Sequence, residues 1–251
     1  MKIKFSPCLL LLFLFSLHTA YAETIFLFNP EARTTRVTKV RSGLQEYLKS
    51  ERIDADVYVF ANPDDFESSV DKFKPVLAIV ASYYYNTMKD SFKWKAILSG
   101  HKRGRKTFDK LLIASLSITE PLQLRNKSLA AVSLGSASYV DFLLPRGLSV
   151  KNIRILSVSK DIDAIMALGF EQVEAAIVME ESFDKMNKIN PDTVKNLHVL
   201  RKLEPVGYPK IAVFPNAENL ERFAKSFEKK HYRREIKEAL KFFGVTGFAS
   251  E

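Results

Sequence analysis

The sequence has 251 residues, 47% of them hydrophobic, and a formal net charge of +9. That apolar share excludes a disordered or low-complexity chain and suits one large domain or two small lobes. A single cysteine, Cys8, excludes a disulfide framework.

The first 22 residues read as a secretory signal peptide. Lys2 and Lys4 form a basic start, and residues 8–17 are an almost unbroken apolar run. That run is too short to span a bilayer comfortably. Ala20-Tyr21-Ala22 then offers a small-x-small cleavage site. The cysteine would leave with this leader. An exported chain without cysteine fits a bacterial periplasm better than a disulfide-stapled secreted scaffold.

TIFLFN (residues 24–29) predicts a buried strand, being short, continuous and apolar. Val37, Val40, Leu44 and Leu48 then recur at helical spacing. ADVYVF (55–60) is a second strand, Asn62-Pro63-Asp64 opens a helix, and PVLAIVAS (75–82) is a third strand. Strands alternating with helices predict a largely parallel sheet covered on both faces. The middle is less regular. WKAILSG and KLLIASLSI, separated by a basic turn, read as two longer strands that turn away from the first sheet.

After Glu120-Pro121 the alternation resumes. SLAAVS is a strand leading into a helix. IRILSVS precedes the helix DIDAIMALGF, with Asp161 near its start and Gly169 near its end. VEAAIVM, HVLRKL and PKIAVF are further strands, EESFDKM is a short helix, and residues 217–243 hold two short amphipathic helices. The expected division is a signal peptide over 1–22, lobe I over 23–117 plus 208–251, and lobe II over 118–207. The tail helices pack back on lobe I, and the chain crosses between lobes near Ser117 and again over residues 204–208.

Ligands of parallel α/β sheets bind beyond the carboxyl ends of the strands. That rule selects Asn29 after the first strand, Tyr83, Tyr84 and Tyr85 after the third, Ser133, Ser136 and Ser138 after SLAAVS, and Glu180 after AAIVM. Ser136 or Ser138 at a helix start can simply cap it, or free N–H groups there can hold an anion. Each tyrosine can wall a pocket or pack in a core. Glu180 can accept from a ligand donor, or be an acid favoured by the helix dipole.

The basic runs HKRGRK (101–106) and KKHYRR (229–234) read as solvated surface rather than a nucleic-acid site. His101, His198 and His231 are far apart in sequence and lack metal-ligand spacing. No nucleophile elbow, Walker loop or dinucleotide fingerprint occurs. No enzyme, no metal and no cofactor is expected.

The segments VASYYYNTM, KSLAAVSLGSASYVDFLLPRGL, DIDAIMALGFEQVEAAIVMEESF, LEPVGYPKIAVFP and EALKFFGVTGF follow one another. In that order the chain resembles the periplasmic phosphate/phosphite/phosphonate-binding proteins, the substrate-binding components of ABC transporters. The best segment is 129–179, where a G-x-V-D-A-A pattern is met by residues 170–176 with Glu174 for the Asp. The resemblance implies an α/β, two-lobed type 2 periplasmic-binding fold, with a largely parallel sheet in each lobe and two crossover strands. It implies that the turn at Ser136, Ala137 and Ser138 holds an anionic head group, faced by one of Tyr83, Tyr84 or Tyr85. Tyr139 stands where that family keeps the helix start open, and joins the candidate ligand-binding residues. The implied function is capture of a small phosphate- or phosphonate-like anion by a monomer in the periplasm, for the membrane permease of an ABC importer. The alternative is a sensing or accessory module that serves a membrane signalling protein.

Overall fold

A computed structural model describes residues 22–29, 34–133, 137–218, 220–228 and 233–250. Residues 1–21 of the expected signal peptide lie outside the described residues.

β1 (Glu23–Phe28) is followed by α1 (Thr34–Ser50), which buries Val40, Leu44, Tyr47 and Leu48 along one face. β2 (Ala55–Phe60) leads to α2 (Pro63–Phe73), whose cap Asn62 accepts the Asp64 N–H at 2.7 Å. Pro63 costs that first turn nothing, because its missing N–H has no helical partner there. β3 (Leu77–Val80) is buried throughout, and α3 (Ser82–Phe92) and β4 (Lys95–His101) follow. The basic run after β4 is a tight turn. Lys102 bridges Arg105, and Arg103 and Gly104 have φ of 53° and 84°. Left-handed φ at both central residues matches the twist of a β-hairpin.

β5 (Thr107–Phe108) is the first crossover, and β6 (Lys110–Ser115) opens the second lobe. A 3-10 turn (Pro121–Leu124) precedes β7 (Ser128–Val132), α4 (Ala137–Leu143), β8 (Arg154–Val158) and α5 (Asp161–Gly169). β9 (Ala175–Met179), α6 (Glu180–Ile189), α7 (Pro191–Val194) and β10 (Leu197–Lys202) complete that lobe. β11 (Val206–Gly207) returns the chain to lobe I, which ends with β12 (Lys210–Val213), α8 (Leu220–Phe227), α9 (Lys237–Phe242) and β13 (Gly247–Ser250).

The first sheet has the order β13-β4-β12-β3-β1-β2, and the second β10-β6-β9-β7-β8. In each, the strands β1, β2, β3 or β7, β8, β9 run parallel, and an interior strand, β12 or β6, is antiparallel to both neighbours; in the first sheet the edge strand β13 is also antiparallel to β4. The two crossovers pair with each other as a separate antiparallel ribbon, Val206 against Phe108 and Gly207 against Thr107. The second strand of this ribbon is Val206–Gly207.

Residues 110–115, expected in lobe I, form an interior strand of the second sheet, so the chain crosses at Thr107–Phe108 rather than near Ser117. β4, expected to turn away, stays in the first sheet beside β12. Both strands are apolar, and their composition does not say which sheet they join; the partners β9 and β12 decide it.

Each sheet is covered on both faces. On one side of lobe I, α1, α8 and α9 cover an aliphatic core that includes Leu44, Leu48 and Ile211. On the other, Phe66 packs among Phe26, Phe28, Phe60, Tyr84, Phe92 and Trp94, with ring centroids 5.4–6.2 Å apart. Removing such a buried ring costs about 3–5 kcal/mol. Lobe II repeats the arrangement with smaller side chains around Ala130, Ala131, Ala175 and Ala176. Phe108 packs against the cores of both lobes, so one crossover side chain joins them.

Candidate functional site

The strand ends of the two lobes face each other across a cleft of about 250 Å³ beside the crossover ribbon. Lobe I contributes Asn29 from the end of β1, Tyr83 from the first turn of α3, Lys102, and Lys241 with Phe242 from α9. Lobe II contributes Lys110, Val132, Tyr139 and Met179. Phe108, Val206 and Gly207 of the ribbon form the back wall.

The charges on this wall have one sign. Lys102, Lys110 and Lys241 line it, and among the described residues no Asp or Glu does. Lys110 is 3% exposed. Its Nζ lies 3.4 Å from Asp161 Oδ1. The other Asp161 oxygen accepts the Met179 N–H at 2.9 Å and the Ser182 hydroxyl at 3.1 Å. Asp161, expected as a helix-start residue, is indeed the first residue of α5, but its carboxylate ties α5 to the β9–α6 junction. A buried ammonium is costly without such a partner. Asp161 therefore pairs with Lys110 at the cleft wall.

The three consecutive tyrosines part company because each residue of an α-helix turns by about 100°. Tyr83 faces the cleft and lobe II. Its hydroxyl donates to Ser138 Oγ at 2.9 Å, and its ring packs 5.1 Å from Tyr139 and 5.3 Å from Phe142. Tyr84 and Tyr85, both candidates on sequence, point instead into the aromatic core of lobe I. Tyr84 donates to Glu67 at 2.8 Å, and burial followed by that carboxylate raises its hydroxyl above the ordinary tyrosine range. Tyr85 stacks on Trp94 and accepts the Ala96 N–H at 3.0 Å.

The other expected residues divide as well. Asn29 lines the cleft and donates to the Phe242 carbonyl at 2.7 Å. Tyr139 is 2% exposed, in the lobe II core and on the cleft wall. Ser138 is at the mouth, held by Tyr83, and Ser133 is half-buried just after β7. Ser136 lies outside the described residues. Glu180 sits outside the cleft lining, in a neighbouring hollow, where it accepts from Lys202 at 3.2 Å. Lys202, in turn, is raised above the usual lysine range by Glu180 and then Asp109.

A second contact crosses between the lobes. Lys102 at the basic turn pairs with Glu181 of α6 at 2.5 Å and holds that carboxyl below its usual range. The neighbouring Arg105 pairs with Asp109 at 2.7 Å. The basic turn therefore spends these charges inside the molecule.

Lys102, Lys110 and Lys241 were not singled out from sequence. They lie in a basic turn, at a strand start and in a tail helix, and only the fold brings them together. A lysine opening an otherwise apolar strand, as in KLLIAS, is the one local signal.

No family model and no curated protein matches the chain. Solved structures do match in fold. A binding-protein component of an ABC phosphonate transporter from Pseudomonas aeruginosa is 13% identical, covering 92% of this chain and 82% of its own, with a TM-score of 0.65. A Xanthomonas citri protein solved bound to ATP is 13% identical over 91% and 90%, with a TM-score of 0.68. PhnD1 from Prochlorococcus marinus in complex with methylphosphonate is 11% identical over 92% and 93%, with a TM-score of 0.65. The chain has the two-lobed α/β fold of periplasmic binding proteins.

Proposed function

We propose that this protein is a periplasmic solute-binding protein that holds a small anion between its lobes and delivers it to the permease of an ABC importer. The observation that carries this reading is the cleft between the two strand-end edges, whose charged lining among the described residues is Lys102, Lys110 and Lys241, with Lys102 paired to Glu181 and Lys110 to Asp161 behind that lining. Such a wall attracts an anion and repels a cation. Charge-assisted hydrogen bonds to an oxyanion contribute about 1.5–3 kcal/mol each.

The mechanism is binding followed by closure, with no bond made or broken. The ribbon of β5 and β11 is the hinge. In the open state the lysines face solvent, and closure brings the Tyr83 edge of lobe I onto α4. The ligand pulls the equilibrium toward the closed form only by its greater affinity for that form. The closed form is what the permease recognises. Likeness in fold to the phosphonate-transporter component and to PhnD1 supports this reading.

Calorimetry with methylphosphonate, inorganic phosphate and a matched organic cation tests it. Anions bind and the cation does not. Lys110→Met with Asp161→Asn weakens anion binding at least tenfold, and so does Ser136→Ala with Ser138→Ala if the serine turn holds the head group. Cation binding, or anion affinity untouched by the Lys110 change, contradicts the reading.

A further inference from the structure

Beyond its lysines the cleft is a room of aromatic rings. Phe28, Tyr83 and Phe242 come from lobe I, Tyr139 from lobe II, and Phe108 and Tyr208 from the crossovers. Tyr83 and Tyr139 lie 5.1 Å apart, and so do Phe108 and Tyr208. These spacings are those of packed aromatic pairs. The uncharged polar side chains on the wall are largely engaged already. Asn29 donates to the Phe242 carbonyl, Ser82 to the Gly207 carbonyl at 2.6 Å, and Tyr83 to Ser138.

Size sharpens the point. A tetrahedral oxyanion displaces two or three waters, roughly 60–90 Å³ at about 30 Å³ each. The cleft holds about 250 Å³. A bare oxyanion against the lysines leaves most of that space facing ring faces, which offer it no hydrogen bonds. An apolar body fills the same space favourably.

We infer that the cognate ligand is an organic anion with a flat, ring-bearing body, its charged head on the Lys110 side and its ring among the aromatic walls. This rests on the reading of the cleft as an anion site and names the class of anion. A phosphonate and a carboxylate head meet a lysine in the same way; the inference concerns the body.

Calorimetry on the full folded protein with four probes separates the two claims: phenylphosphonate, methylphosphonate, inorganic phosphate and benzyl alcohol. Phenylphosphonate is expected to bind at least tenfold more tightly than each of the others. Methylphosphonate or phosphate within threefold of phenylphosphonate would overturn the aromatic class and leave the anion site standing. Benzyl alcohol within threefold of phenylphosphonate would overturn the anion site. No binding of any of the four at millimolar concentration would overturn both. Phe242→Leu, which keeps an apolar side chain but removes a ring, is expected to narrow the phenyl-over-methyl preference at least threefold; an unchanged preference with a normal melting temperature would contradict the ring contact.

Discussion

The Tyr83 hydroxyl of lobe I donates a 2.9 Å hydrogen bond to the Ser138 hydroxyl of lobe II. It does so from a ring that also packs on Tyr139 and Phe142 of lobe II. One side chain thus carries both a polar and an apolar contact between the lobes, at the edge of the lysine-lined cleft.

Tyr83→Phe removes the bond and keeps the ring. A hydrogen bond of this kind contributes about 0.5–1.5 kcal/mol, so closure weakens by roughly two- to tenfold. Ligand affinity falls by the same factor in calorimetry, with the melting temperature nearly unchanged. Tyr83→Ala removes both contacts and lowers affinity further. Equal affinity in wild type and Tyr83→Ala would show that this contact takes no part in closure.

The Lys102–Glu181 pair is expected to make the proposed closure depend on pH. The Lys102 hydrogen bond between the lobes lowers the Glu181 carboxyl, against a smaller opposing effect of burial. A carboxyl lowered in this way stabilises closure fully above its ordinary value, about 4.3. That contribution is lost as pH falls through the closed-state value. Small-angle scattering is expected to show the radius of gyration growing between pH 6 and pH 3, and growing less in Glu181→Gln. The pair is partly exposed, at 33% and 64% of its side chains, so salt also weakens it. Asp109, Glu174 and Glu228 are lowered too. The Glu181→Gln comparison separates their effect on overall stability from closure. The same expansion in both proteins would rule out the pair as a pH-sensitive contact.

Lys110 and Asp161 form a buried pair, so their substitutions are not additive. Lys110→Met alone leaves a buried carboxylate without its cation, which costs about 3–5 kcal/mol. At about 2–4 °C per kcal/mol for a chain of this size, the melting temperature falls by roughly 6–20 °C. Adding Asp161→Asn recovers a large part of that loss, because the amide still accepts from Met179 or Ser182. A double variant less stable than the single would mean that Asp161 matters for those backbone and serine bonds rather than for Lys110.

Gly207 tests the hinge. A Cβ there would lie 3.1 Å from the Ser82 hydroxyl oxygen, which donates to the Gly207 carbonyl. Gly207→Ala pushes Ser82 away and strains the join between the ribbon and α3. A loss of about 1 kcal/mol, or roughly 2–4 °C in melting temperature, is expected. Thermal unfolding unchanged in Gly207→Ala, with Ser82→Ala also neutral, would show that this join is slack.

Much of this molecule is legible in its sequence because its signals are local. The buried strands β1, β3 and β7 are short apolar runs, and α2 carries its cap and its proline. The misplacement of β6 has a plain cause: an apolar strand between two sheets is claimed by pairing partners distant in sequence. The choice among Tyr83, Tyr84 and Tyr85 needs the rotation of α3 about its axis, which three adjacent identical residues do not reveal. β13 went unpredicted because four residues, GFAS, gain their strand only by pairing with β4. The lysines of the cleft come from positions 102, 110 and 241, and no spacing rule joins them.

The central claim is that the cleft holds a small anion against its lysines. Native mass spectrometry of the protein purified from the cells that make it tests this most directly. A bound small organic anion in the wild type, absent from Lys110→Met with Asp161→Asn, is the predicted result. A bound cation or neutral solute, or the same anion retained in full by that folded variant, would contradict it.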